Sequence, residues 1–313
     1  MQRRQVLLGI ATTAAAGFSR TAKASDQLEE LRNEVSRAQL FKRVIKAKKA
    51  EPPPATGEPL ALPGHFQFPS NAAYDDGKPR QNSFFGIDIS HYTSSNIQFE
   101  RLKQQNVSFV YAKATQGNHN KDGKFAEFYT RLKMLTPNQR VLKGAYHFLS
   151  SQGDGKSQAD TFCNFVKQNG GFNAGDLPPV MDLEWDVATA DGPDRWEGHD
   201  PHEIIDTAQA FLSRVQERTQ TVPMIYTTVS WWNERKIPLS MFEKLRTYRL
   251  WIADYSKSSR AVEDPHGFPN SEFNLWQFSS SARLSSGYSG GLDANIFRGS
   301  REKFKQWFGT DLP

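Results

Sequence analysis

The sequence of 313 residues contains one cysteine, Cys163. A single thiol can form no internal disulfide, so the fold must stand on its core alone. Around it, Ala159, Phe162 and Val166 recur at helical spacing, which marks Cys163 as a buried core thiol rather than a nucleophile. Long apolar runs are also missing: residues 6–16 are too few, and too rich in Ala and Thr, to span a bilayer. No Gly-x-Gly-x-x-Gly or Walker pattern follows any strand-like run, which argues against nucleotide binding. No Lys/Arg cluster with interleaved aromatics lies in the main body, so the formal charge of +5 does not describe a nucleic-acid surface. That charge is uneven. Residues 1–51 carry eleven Lys/Arg against five Asp/Glu, whereas residues 84–313 carry 26 of each. The serines between 279 and 289 form no Gly-x-Ser-x-Gly elbow and read as loop.

The amino-terminal region has its own character. Arg3 and Arg4 precede the modest apolar run, and Ala22-Lys23-Ala24 supplies a small-x-small cleavage site, so residues 1–24 read as a twin-arginine export signal. Its removal takes four positive charges and leaves the chain near +1. Such a signal implies a bacterial protein carried to the periplasm, the cell wall or the medium. Residues 25–50 read as an amphipathic helix, with Leu28, Leu31, Val35, Ala38, Phe41 and Ile45 on one stripe. Such a helix can pack on the main domain, self-associate, dock a partner or tether the protein through Lys42 to Lys49. Residues 51–83 begin Glu51-Pro52-Pro53-Pro54 and read as a stiff linker with an extended lead-in.

From residue 84 the texture changes to short apolar runs separated by polar loops and helical patterns. The strand-like runs are 84–89, 109–115, 142–149, 180–184, 223–229, 249–255, 274–278 and 292–297. Helical spacing marks 99–105, 124–135, 157–168, 202–218 and 240–245. This alternation predicts an α/β fold over 84–313, a TIM-like β/α barrel made irregular by its weak late helices, with a doubly wound open sheet as the alternative.

The run Leu177-Pro-Pro-Val-Met-Asp-Leu-Glu-Trp185 ends a buried strand on two acids. Asp182 and Glu184 are two residues apart and so face one side, roughly 6.5 Å apart along a strand. At an effective dielectric near 20, that spacing costs about 2.5 kcal/mol of repulsion, enough to keep one of them protonated as a general acid beside a base. A strand end whose acids face solvent is the plainer alternative. Asp88 and Asp293 are also acids inside apolar strands, the first and the last, and closure of a barrel makes those strands neighbours. Asp88, Asp182, Glu184 and Asp293 are therefore expected in one mouth, at the carboxyl ends of the strands. Lys113, Gln116, Tyr146, His147, Tyr226, Trp251, Tyr255, Trp276 and Gln277 are expected around them. Acids ringed by aromatics suit a sugar, whose C–H face stacks on rings while its hydroxyls meet carboxylates and amides.

Gly86-Ile-Asp88-Ile-Ser90, Tyr111-Ala-Lys113-Ala-Thr115, Gly144-Ala-Tyr146-His147-Phe148, the Pro178 to Glu184 run, Ile225-Tyr226-Thr227, Leu250-Trp251-Ile-Ala253, Trp276-Gln277-Phe278 and Asp293-Ala-Asn-Ile-Phe297 follow one another in order. Together they resemble the successive motifs of the glycoside hydrolase family 25 muramidases. The resemblance implies a flattened, irregular β/α barrel and cleavage of the β-1,4 bond between N-acetylmuramic acid and N-acetylglucosamine in peptidoglycan. It further implies Glu184 as general acid, Asp182 and Asp293 orienting the substrate acetamido group or acting as base, and Asp88 completing the acidic floor. Net retention, with the substrate N-acetyl group as internal nucleophile, is the mechanism preferred here, because no carboxylate then has to reach the anomeric carbon, and no cofactor is called for.

One departure is visible: the family usually has Lys-Ala-Thr-Glu-Gly where this chain has Lys113-Ala-Thr-Gln116-Gly117. Gln keeps a hydrogen bond to a sugar and loses a charge. The acidic loop 185–201 contains His199-x-x-His202 without a third ligand at suitable spacing, so it reads as one wall of the groove and no metal site is expected. His147, inside Ala-Tyr-His-Phe, is expected to make structural or substrate hydrogen bonds. Two other functions fit parts of the pattern. A chitinase-like hydrolase shares the Asp-x-Glu strand, although Pro-Pro-Val-Met upstream offers no further acid; a glycan-binding scaffold would account for Gln116.

Overall fold

The structure is a computed structural model that describes residues 82–187, 192–255, 265, 267–268 and 271–313. It also gives the backbone of a small antiparallel pair, Tyr74–Asp75 with Lys78–Pro79. The expected export signal (1–24), the amphipathic helix (25–50) and almost all of the linker (51–83) lie outside the described residues.

Eight strands close into a barrel: β1 (Ser83–Ile89), β2 (Val107–Gln116), β3 (Leu142–Phe148), β4 (Val180–Leu183), β5 (Met224–Thr227), β6 (Arg249–Ala253), β7 (Phe273–Ala282) and β8 (Leu292–Arg298). Neighbours from β1 to β7 run parallel. β8 is antiparallel to both β7 and β1 and completes the ring. A two-residue strand, Asn120–Lys121, doubles back on the end of β2. The main helices are α1 (Phe125–Lys133), α2 (Gly155–Gln168), α3 (Pro201–Thr219), α4 (Val229–Glu234) and α5 (Arg301–Phe308), with 3-10 turns at Phe99–Arg101, Lys103–Gln105 and Leu239–Leu245. The architecture is thus an irregular TIM-like barrel.

Each strand alternates between two cores. Outward residues such as Ile87, Val110, Met181, Ile225 and Ile252 pack beneath the helices, against Phe128, Phe162, Phe211 and Leu212. Inward residues such as Phe109, Tyr111, Val180, Met224, Leu275 and Phe297 fill the barrel together with Phe304, Trp307 and Phe308 of α5. α5 starts on a Ser300 cap, whose side chain accepts from Lys303 N, and stops at Gly309 in the left-handed region. Its aromatic side chains close the end at which the parallel strands begin, since Phe304 packs on Phe84 and Phe297 at ring distances of 5.6 and 5.0 Å. Two inward positions must be glycine, because a Cβ on Gly86 would overlap the Phe109 ring and one on Gly144 the Tyr111 ring. The other end of the barrel, where β1 to β7 finish, is left to polar side chains.

Candidate active site

Near that open end, several strands carry polar residues on their inward faces. On β1, Asp88 follows Gly86 inward; on β4, Asp182 follows Val180 inward, and Glu184 comes two residues later, just past the strand. All three acids are buried, at 4%, 2% and 7% exposure. Asp293 reaches the same place differently. Because β8 runs antiparallel, Asp293 sits near its start and not at its carboxyl end, directly paired with Asp88.

One hydroxyl reports on most of this cluster. Burial pushes the Tyr255 phenol well above its ordinary value, and the carboxylates of Asp293, Glu184 and Asp88 add to the rise. Asp88 and Asp182 line one small pocket with Tyr146, Val180, Tyr226 and Trp251. The four acids that lie far apart in the chain are therefore gathered at one mouth, with Tyr146, Tyr226 and Tyr255 beside them.

A hydrogen-bond network holds Asp88. Gln277 Nε2 and Asn295 Nδ2 both donate to Asp88 Oδ2, at 2.7 and 2.9 Å. Gln277 Oε1 accepts from the hydroxyls of Tyr226, at 2.7 Å, and Tyr255. Asn295 Oδ1 accepts from Trp251 Nε1 at 2.9 Å. The Trp251 ring is itself packed between Tyr111 and Tyr226, at centroid distances of 5.1 and 5.0 Å, so it forms the floor of the mouth rather than an open stacking face. On β2, Lys113 Nζ donates to Gln116 Oε1 at 2.8 Å and lies over the Phe148 ring.

Two residues expected around the acids belong elsewhere. His147 alternates with inward Tyr146 and so points out of the barrel, where it is fully buried, stacked on Phe211 of α3 at 4.7 Å. Its Nδ1 meets Thr115 Oγ1 at 2.7 Å and its Nε2 meets Gln158 Oε1 at 3.2 Å. Burial lowers it from 6.5 to about 3, so it is a neutral core residue. Trp276 likewise alternates with inward Gln277, is fully buried in the outer core and donates Nε1 to Asp254 O at 2.9 Å.

The acidic loop after Glu184 is structural where it is described. Asp186 accepts from Ser150 Oγ at 2.7 Å, Ser151 N at 3.0 Å and Arg195 at 3.1 Å. Asp194 accepts from Asp186 N, Trp196 N and Trp231 Nε1. Asp191 lies outside the described residues. Among the described residues no group of His, Cys, Asp or Glu is arranged to hold a metal ion. Two features went unread in the sequence. Asn295 shares the inward face of Asp293, as its two-residue spacing already required. His91, just beyond β1, pairs its Nδ1 with Asp122 Oδ2 at 2.7 Å, a contact across 31 residues for which no local pattern exists.

Comparison with known proteins decides the family. Residues 87–287 match the family model "Glycosyl hydrolases family 25". The chain belongs to that family. As a family 25 glycosyl hydrolase it is an enzyme that hydrolyses glycosidic bonds. It is 34% identical to Lysozyme M1 of Streptomyces globisporus over 219 residues, 69% of this chain and 68% of that protein. It is 29% identical to the N,O-diacetylmuramidase of Chalaropsis sp over 226 residues, 71% of this chain and 97% of the other. Among solved structures, the bacterial lysozyme of Streptomyces coelicolor aligns with a TM-score of 0.58 at 32% identity, covering 70% of this chain and 94% of that one. The muramidase of Trichobolus zukalii aligns with a TM-score of 0.57 at 29% identity, covering 72% and 100%.

Proposed function

We propose that this family 25 hydrolase is a peptidoglycan N-acetylmuramidase. The observation that carries the reading is the convergence of Asp88, Asp182, Glu184 and Asp293 on one mouth around the Tyr255 hydroxyl and the pocket beside it. The relatives named as lysozyme and muramidase support the choice of substrate.

Glu184, at the edge of the mouth just past β4, is the general acid that protonates the glycosidic oxygen as the bond to C1 breaks. The carbonyl oxygen of the substrate's own N-acetyl group closes on C1 to give an oxazolinium ion. Asp182, deeper on the same face, orients the acetamido group and balances its developing charge. Water then adds to C1, giving its proton to Glu184, and the ring reopens with net retention. Asp293 assists in orienting the acetamido group, and Asp88 completes the acidic floor. Tyr146, Tyr226, Tyr255, Gln277, Lys113 and Gln116 contact the sugar or shape its seat.

Residues 84–313 form the catalytic domain on this reading. Residues 1–24 carry the export signal of the twin-arginine route to the periplasm, the cell wall or the medium on the same reading. The test is loss of turbidity and release of reducing ends from purified peptidoglycan by the wild type and by Glu184→Gln. A muramic acid reducing end released by the wild type, and lost with Glu184→Gln, is expected. Equal activity in both removes Glu184 from the acid's role, and an inactive wild type on several peptidoglycans removes the muramidase reading.

A further inference from the structure

Glu184 stands one residue beyond the last pair of the β4–β5 ladder, which joins Leu183 with Thr227. The chain on either side of it is braced by hydrogen bonds from residues around α4. On one side, Leu183 O accepts from Thr227 Oγ1 at 2.6 Å, and Thr227 Oγ1 accepts from Trp232 Nε1 at 3.0 Å. An indole N–H can only donate, so the Thr227 hydroxyl must turn its own hydrogen towards Leu183. On the other side, Trp185 packs into the outer core at 4% exposure, and its Nε1 donates to Glu234 Oε2 at 2.9 Å. Asp186, the next residue, is held separately by Ser150 and Ser151.

The two braces differ in kind. Thr227 and Trp232 are fully buried, so theirs belongs to the core. Glu234 is the last residue of α4 and its side chain is 38% exposed, a place where most substitutions leave a fold standing. Its Oε1 accepts from Arg235 Nη2 at 2.9 Å, which leaves Oε2 for the indole. That bond crosses 49 residues to reach the ring next in sequence to Glu184. Neighbouring side chains of an extended segment leave the backbone on opposite sides, so a turn of residue 185 about the chain swings Glu184 with it.

We propose that Glu234 is a positioning residue of the hydrolase: through the Trp185 indole it fixes the chain just after β4 and so aims the Glu184 carboxyl at the glycosidic oxygen. Aim matters because a general acid works only within hydrogen-bond reach of the atom it protonates. A lost aim slows the chemical step and spares binding, which the rest of the mouth supplies. The anchors at Leu183 and Asp186 make the loss graded rather than complete. The catalytic consequence rests on the reading of Glu184 as the acid of a muramidase, but the brace itself does not.

The experiment compares Glu234→Ala, Glu234→Gln, Trp185→Phe and the double variant Trp185→Phe/Glu234→Ala in the full chain, with peptidoglycan as substrate. Glu234→Ala is expected to lower kcat about tenfold, leave KM within about threefold and lower the Tm by no more than about 3 °C. Gln keeps an oxygen for the indole, so Glu234→Gln is expected to stay within about threefold of the wild type. Trp185→Phe keeps a ring and removes the donor. It is expected to match Glu234→Ala, and the double variant to lose less than about twofold more, as for the two ends of one bond. Amide hydrogen exchange at residues 184–186 reads the brace without turnover, and is expected to be about tenfold faster in Glu234→Ala and restored in Glu234→Gln. A folded Glu234→Ala protein with the wild-type kcat, equal losses in the Ala and Gln variants, additive losses in the double variant, or unchanged exchange overturns the proposal. A wild type that hydrolyses no peptidoglycan, or Glu184→Gln as active as the wild type, counts against the reading of the active site alone, and exchange then decides whether the brace stands.

Discussion

Asp88 and Asp293 stand opposite each other where the first and last strands of the barrel pair, in a register that continues through Ile87 with Ala294 and Gly86 with Asn295. Closure of the barrel thus creates a carboxylate pair from the two ends of the domain. Like charges this close cost stability.

Asp293→Asn is therefore expected to raise the thermal midpoint by a few degrees, roughly 1 kcal/mol of relieved repulsion, while lowering peptidoglycan hydrolysis about tenfold or more. Calorimetry and a reducing-end assay on the same preparation check both halves. A variant that is less stable and equally active would show that the pair carries no strain and no function.

Gln116→Glu tests whether the amide marks a protein that binds glycan without turnover. The amide oxygen already accepts from Lys113 at 2.8 Å, so a carboxylate there makes the same contact with added charge. The expected change in kcat/KM is less than about threefold, since the contact geometry is kept. A gain of several hundredfold would instead identify Gln116 as the cause of a weakened enzyme.

His147 gives the fold an acid sensitivity with a definite sign. Its folded value of about 3 lies below the ordinary 6.5, so between those pH values the unfolded chain binds a proton that the folded chain refuses. Its contribution is complete above pH 6.5 and is lost as pH falls towards 3, with a slope of up to about 1.4 kcal/mol per pH unit. Urea unfolding of the wild type and His147→Gln at pH 7 and 4.5 is expected to show the wild type losing about 2 kcal/mol more than the variant. Parallel losses would mean that another group governs the acid limb.

Gly144→Ala is expected to destabilise the barrel by about 3 kcal/mol, because the added methyl overlaps the Tyr111 ring and lies 2.9 Å from Leu177 Cβ, with nothing flexible to give way. For a domain of this size that is a fall of about 8 °C in Tm, read by circular dichroism. An unchanged Tm would show that Tyr111 can swing aside, and that the packing inside the barrel is looser than these contacts imply.

Much of this was legible in the sequence, because β/α barrels repeat one simple pattern. The eight apolar runs fall on the eight strands with ends shifted by a few residues, and Asp88, Asp182 and Glu184 fall at strand ends. The two-residue period of a strand sorts the rest. Once Tyr146 and Gln277 face inward, His147 and Trp276 must face outward, away from the acids beside which their motifs suggest them. Two-residue spacing from Asp293 likewise assigns Asn295 to the mouth. The direction of β8 was harder to read. A strand's sequence does not state its polarity, although the short Gly- and Ser-rich stretch 283–291 is too brief for a parallel crossover and signals a hairpin. α5 is short, and its three large aromatics stand among charges, so its place under the barrel is legible only once the strands above it close.

α5 also sets a timetable. Phe304, Trp307 and Phe308 are made after all eight strands, and until they emerge Phe84, Phe109 and Phe297 have no cover from below. The first strand likewise waits for the last, since β1 finds one of its two neighbours only in β8. A nascent chain can therefore assemble most of the sheet but cannot seal it. Completion of the barrel is therefore a late event that joins both ends of the domain, because it needs β8 and α5 together.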